Sequence, residues 1–291
     1  MKNSFKIRYL FLAFLFFTSV KSQVTNDSLL IDGHYRTFHF KKPSTKNTNA
    51  SLIFVLHGSG GNGIKSMNGT TKLMEFSESE HILMVFPDGY KKNWNECRKN
   101  APAAANIENI DENAFFSKMI DYCVINYKIN PARVFAVGTS GGGHMVYKLA
   151  MTMPEKFKGI TAIVANIPDP SNMDCVEKKI PMPVMIINGT NDLTNPYNGG
   201  ISAKNKGLVR STDESFHYWA TINGYKGEPT KEDLPDTDPT DGKTIEKYTY
   251  KQKGKPEVVL LKVINGEHNN PKDIDVYLES WNFFKRQLGI K

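Results

Sequence analysis

The chain predicts an α/β protein, a mostly parallel central sheet with helices on both faces. Three observations carry that prediction. Short continuous apolar runs of strand length recur along the chain, the pattern of strands buried on both faces. Segments of helical length and periodicity fall between them. Each apolar run then breaks into a polar, turn-rich stretch, so strands and helices alternate as they do around a parallel sheet.

The elements follow in order. "HYRTFHF" from His34 alternates polar and apolar residues, as a half-exposed strand does. "SLIFVLH" from Ser51, "ILMVFP" from Ile82, "RVFAVG" from Arg133, "ITAIVA" from Ile160 and "PVMIING" from Pro183 read as the buried strands. Helices are expected over "NAFFSKMIDYCVINY" ahead of Pro131 and over "GHMVYKLAMTM", which stops at Pro154. Two more are "STDESFHYWATINGY", with Ser211 or Thr212 as N-cap, and the C-terminal "DIDVYLESWNFFKRQL". Between these last two, "TIEKYTY" and "EVVLLKVI" read as strands, and "KGEPTKEDLPDTDPTDGK" as a long surface loop. No internal repeat, low-complexity tract or appended binding module is visible.

The 291 residues, 40% of them hydrophobic, suffice for one large core. The first 22 are set apart as a secretory signal peptide. Lys2, Lys6 and Arg8 precede the apolar "YLFLAFLFF", and Val20 and Ser22 occupy the −3 and −1 positions of a cut before Gln23. That apolar run is too short to span a bilayer. Residues 23–291 are then one catalytic domain, secreted or periplasmic, with no membrane association after the leader is removed. The formal charge falls from +7 to +3 without Lys2, Lys6, Arg8 and Lys21, so much of the basic balance belongs to the leader. No Lys/Arg run is interleaved with aromatics, which excludes a nucleic-acid footprint. Of three cysteines, Cys123 falls on the buried side of a helical pattern, and Cys97 and Cys175 are the better candidates for one disulfide. No metal-ligand spacing appears, and neither metal nor organic cofactor is implied.

Chemistry in open α/β sheets gathers beyond the carboxyl ends of the strands. There the sequence delivers "HGSGGNG", "PDGYKKNWNEC", "GTSGGG", "NGTNDLTNPY" and "NGEHNNP". A serine, an aspartate and a histidine each follow a strand, in the order Ser140, Asp192, His268, which is the chain order of the α/β-hydrolases. Gly138 to Gly142 fits G-x-S-x-G, a strained strand-to-helix turn that exposes the serine hydroxyl while the glycines leave room for strand and helix to close. His268 is the expected base for Ser140, and Asp192 the residue that orients and stabilises its imidazole. The backbone N–H groups of Ser59 and Gly141 are the expected oxyanion donors. Trp94 is expected at the cleft as a substrate-binding aromatic, whereas His57 and His144 read as structural, His144 with its ring in the helix packing and not in the cleft. Gly58 to Gly63 also fits the dinucleotide fingerprint G-x-G-x-x-G. Against it, Gly69 interrupts the segment where a pyrophosphate-binding helix must continue, and the second strand ends in Pro-Asp-Gly.

These segments resemble the secreted esterases grouped with polyhydroxybutyrate depolymerases and feruloyl or acetylxylan esterases. "VLHGSGGNG" is similar to their oxyanion loop, "FPDGYKKNWNEC" to their strand-end segment, and "VFAVGTSGGGHM" to their nucleophile elbow. "PMPVMIINGTNDLTNPYNGG" resembles their acid-bearing strand and turn, and "EVVLLKVINGEHNNP" the region of their catalytic histidine. The resemblance implies a serine carboxylic ester hydrolase working through an acyl-enzyme on carbohydrate-linked feruloyl or acetyl esters. A polyester depolymerase or oligomer hydrolase, a peptidase, and a non-catalytic binding protein of the same fold are the alternatives. Gly-Glu-His-Asn-Asn-Pro replaces the family's Gly-Gly-His-Thr-Trp-Pro around His268, and the residue after the nucleophile is Gly141 in place of asparagine. Both departures bear on specificity and leave the triad residues in place.

Overall fold

The computed structural model describes residues 24–42, 49–203 and 206–289. Residues 1–22, the expected leader, lie outside them. Six parallel strands form the middle of one sheet: β3 (Ser51–Leu56), β4 (Ile82–Pro87), β5 (Val134–Thr139), β6 (Gly159–Ile163), β7 (Val184–Gly189) and β12 (Val258–Ile264). Antiparallel strands extend both edges. On one side are β1 (Val24–Ile31) and β2 (His34–Lys41), and on the other β10 (Thr230–Asp233) and β11 (Thr244–Tyr250). The order across the ten strands is β1-β2-β4-β3-β5-β6-β7-β12-β11-β10. A separate short ribbon pairs β8 (Gly200–Ile201) with β9 (Leu208–Val209).

Each central strand is buried on both faces because helices cover both. Alternate residues serve the two layers, as the strand period requires. Leu52, Phe54 and Leu56 pack with the helices α4 (Glu112–Tyr127), α5 (Gly141–Thr152) and α6 (Thr212–Ile222). Ile53 and Val55 pack with α1 (Gly63–Gly69), α2 (Thr71–Glu75) and α7 (Val276–Leu288). A short α3 (Ala104–Ile107) lies in the connection between β4 and α4.

The expected strands and long helices are all present, and two edge strands, β1 and β10, were not expected. The stretch read as a surface loop from Lys226 contains β10, an edge strand whose four residues are all exposed. It carries no apolar alternation because no face of it is buried; backbone pairing and the ion pairs Lys231–Glu246 and Glu232–Lys247 hold it to β11. The segment after Asn62 forms two short helices with the break at Gly69–Thr70, as its glycine implied. Cys97 and Cys175 are joined in a disulfide, while Cys123 is a buried free thiol whose pKa burial pushes up to about 12. Among the described residues no helix is long and apolar enough to cross a membrane.

Candidate active site

The turn between β5 and α5 positions Ser140. Ser140 has φ 55° and ψ −116°, a conformation that costs a non-glycine residue of order 1–3 kcal/mol and persists only where its surroundings enforce it. The neighbouring glycines show how. A Cβ on Gly138 would lie 2.1 Å from the Gly142 carbonyl oxygen, and one on Gly142 would lie 2.4 Å from that of Leu56. Strand and helix meet here at backbone distance, so the hydroxyl is the part that projects.

Two further strand ends deliver its partners. β7 and β12 are parallel neighbours, and their following loops touch, with Asn191 N–H donating to the Gly266 carbonyl at 2.8 Å. That contact sets Asp192 beside His268. Asp192 Oδ2 lies 2.7 Å from His268 Nδ1, and His268 Nε2 lies 2.9 Å from Ser140 Oγ. The other carboxylate oxygen, Oδ1, accepts from the backbone N–H groups of Thr194 at 2.7 Å and Asn195 at 2.8 Å. Asp192 is thus buried with both oxygens occupied, and its orientation is determined before any substrate arrives. Such a carboxylate favours the His268 tautomer with its proton on Nδ1 and leaves Nε2 to accept from the serine.

The loop after β3 brings Ser59 against the start of α5. A Cβ at position 141 would lie 2.9 Å from the Ser59 amide nitrogen and 2.5 Å from its Oγ. The two N–H groups expected to face an oxyanion therefore sit side by side, at the N-terminus of a helix where negative charge is favoured. The loop is braced from beneath. His57 Nδ1 pairs with the Gly58 carbonyl at 2.7 Å, and Nε2 accepts from Gly89 N–H at 2.9 Å. Burial holds the His57 pKa below its ordinary value, in keeping with a neutral ring that donates once and accepts once. Its role is structural, as its sequence position suggested.

A cleft of about 440 Å³ opens beside Ser140, walled by Gly58, Ser59, Gly141 and His268 and closed by Arg98, His144, Thr194, Asn195, Ala203 and Lys206. Two expectations need correcting. Trp94 is not a cleft wall: it is 2% exposed, donates its indole N–H to the His57 carbonyl at 2.9 Å, and reaches only a recess of about 10 Å³. Its ring supports the loop that carries Ser59, through His57. His144 does the reverse. It is buried on α5, yet it borders the cleft, and burial, with Arg98 and Lys206 nearby, holds its pKa well below the ordinary range. The sequence offered no sign of Arg98, Asn195 or Lys206 as cleft residues, because only closure of three separate loops brings them together. Among the described residues no cluster of His, Cys, Asp and Glu is arranged to hold a metal.

A parallel sheet lengthened by antiparallel edges, with a serine on a strained turn after β5 and hydrogen-bonded acid and histidine after β7 and β12, defines an α/β-hydrolase fold. Within that class the chain belongs to the phospholipase/carboxylesterase family, whose profile matches residues 39–219. It is 28% identical to feruloyl esterase B of Neurospora crassa over 117 residues, 40% of this chain and 39% of that protein. It is 24% identical to an acetylxylan esterase of Coprinopsis cinerea over 120 residues, 40% of this chain and 31% of that protein. These matches span less than half the length of either relative. The acetyl xylan esterase structure from Aspergillus awamori superposes with a TM-score of 0.60 at 14% identity, over 89% of this chain and 98% of that one, a likeness of fold.

Proposed function

We propose that this protein is a secreted serine carboxylic ester hydrolase that works through an acyl-enzyme, with residues 1–22 as its export leader and residues 23–291 as one catalytic domain. The observation that carries the reading is the continuous hydrogen-bonded chain from Asp192 through His268 to Ser140. In the proposed reaction Ser140 Oγ attacks the ester carbonyl carbon as His268 Nε2 takes the hydroxyl proton. The carbonyl oxygen becomes an oxyanion beside the Ser59 and Gly141 amides. Collapse breaks the bond to the alcohol, which leaves with the proton from His268, and Ser140 carries the acyl group. Water, deprotonated by the same imidazole, attacks that acyl-serine; its proton returns to Ser140 and the acid is released.

The substrate class we favour is a carbohydrate-linked ester with a short acyl group, the acetyl type ahead of the feruloyl type. The curated relatives include both kinds, and among the described residues no Phe, Tyr, Trp, Leu, Ile or Met side chain lines the cleft to receive a phenolic ring. The test is hydrolysis of p-nitrophenyl acetate and methyl ferulate by wild type, Ser140→Ala and His268→Ala. Wild type is expected to cleave the acetate faster, and each variant to lose roughly 10⁴-fold or more in kcat. Folded wild type that is inert on both esters and unlabelled by a fluorophosphonate would overturn the reading.

A further inference from the structure

Arg98 and Lys206 line the cleft beside Ser140 and supply positive charge, and among the described residues no carboxylate lines its wall. Arg98 is a buried and constrained group. Its Nε lies 2.8 Å and its Nη2 2.7 Å from Glu96 Oε1, while Glu96 Oε2 accepts from the Arg98 backbone N–H at 2.9 Å. Glu96 therefore engages one edge of the guanidinium fork and leaves the Nη1 end to another acceptor. Lys206 comes from the other side, its Nζ 3.3 Å from Ser59 Oγ.

Beside them are polar atoms with no protein partner. Asn195 is 3% exposed, and neither its side-chain oxygen nor its nitrogen is hydrogen-bonded within the protein. The Nδ1 atom of His144 is in the same condition. A buried polar group left without a partner is costly. Both residues line the cleft, and the unpartnered Asn195 amide suits it to a polar ligand.

We infer that the ester taken by this cleft carries a carboxylate near the scissile bond, held by Arg98 and Lys206 with the Asn195 amide donating to it. The inference rests on the proposed esterase reading and narrows its substrate to acidic esters, acetylated uronic acids among them. A guanidinium fork and an ammonium on a concave wall focus the field on an anion and raise its local concentration. A neutral sugar or an aromatic acyl group would leave the Arg98 Nη1 end and the Asn195 amide without a charged counterpart. The carboxylate can sit on the acyl half or on the alcohol half of the ester, and paired probes separate the two.

For the acyl half the pair is mono-4-nitrophenyl succinate against 4-nitrophenyl butyrate. For the alcohol half it is a monoacetylated methyl glucuronoside against the matching methyl glucoside. In one pair the charged member is expected to have a kcat/KM about tenfold higher, a difference that shrinks as salt screens it. Lys206→Glu should abolish that ratio chiefly through KM for the charged probe, and Arg98→Lys should reduce it. Ratios of one or less in both pairs, or a ratio that Lys206→Glu leaves unchanged, overturn the carboxylate inference while the esterase reading stands. Failure of wild type on all four probes would instead remove the reading on which it rests.

Discussion

At the scale of single residues, Gly141 is the position where least can change. Its amide is one of the two proposed oxyanion donors, and its missing Cβ is what lets the Ser59 amide come alongside, since that carbon would lie 2.5 Å from Ser59 Oγ. Gly141→Ala is therefore expected to separate the donors and lower kcat about 10²-fold with KM little altered, the size of effect seen when one such donor is lost. Steady-state kinetics on p-nitrophenyl acetate checks this, and a change confined to KM would count against it. Ser140, Asp192, His268, Ser59 and Gly141 were all legible in the sequence because each follows a strand, and strand ends in a parallel sheet converge. Trp94 was misplaced because a tryptophan at a strand end can face outward to the cleft or inward beneath a loop. Its hydrogen bond to the His57 carbonyl decides the matter, and no sequence pattern reveals that bond.

At the scale of elements, the capped helices were readable and the edge strands were not. Ser211 begins α6 with a full capping box: its side chain accepts from Glu214 N–H, and Glu214 returns a bond to the Ser211 backbone. Such a box is a pairing of local groups, so the four residues from Ser211 to Glu214 suffice to announce it. Ser211→Ala should cost about 1 kcal/mol of stability, read as a lower midpoint in urea with an unchanged slope; a midpoint shift near zero would show the cap to be redundant. β10, by contrast, is "TKED", all of it exposed and without apolar periodicity. Its strand conformation comes from the free edge of β11, a property of the assembled sheet. β1 escaped notice for a related reason. Its inward positions are only half-buried, so Thr25 and Asp27 occupy places that a core strand would give to apolar residues.

At the scale of the whole molecule, two buried histidines contribute to the pH dependence of stability. His57 and His144 both have folded-state pKa values held below 6.5 by burial, most strongly for His144. An unfolded chain takes up protons on them near 6.5, whereas the folded protein resists doing so. Their contribution is therefore fully present above about pH 6.5 and is lost as the pH falls through the folded values. The thermal midpoint should decline between about pH 7.5 and 5.5, above the range in which ordinary carboxylates titrate. His57→Asn should show a shallower decline over that interval; an identical slope in both proteins would assign the pH dependence elsewhere. The cleft wall belongs to this scale too. Arg98, Asn195 and Lys206 come from three connections, and one of these is fastened by the disulfide from Cys97 to Cys175. The cysteines could be paired on paper, but not the surface that their pairing helps to shape.

The order of strands across the sheet has a consequence for how the chain acquires its activity. β1 and β2 are joined by a tight turn at Asp32 and Gly33 and can pair from purely local encounters. The groups proposed for catalysis enjoy no such proximity: 128 residues separate Ser140 from His268, and 76 separate Asp192 from His268. They meet only after β5, β6, β7 and β12 have aligned side by side. Parallel pairings of this kind close long loops before any contact repays the lost chain entropy, which makes them slow. The cleft proposed for catalysis is therefore a product of the assembled sheet, and Ser140 gains its hydrogen-bonded partner only when β12 stands beside β7.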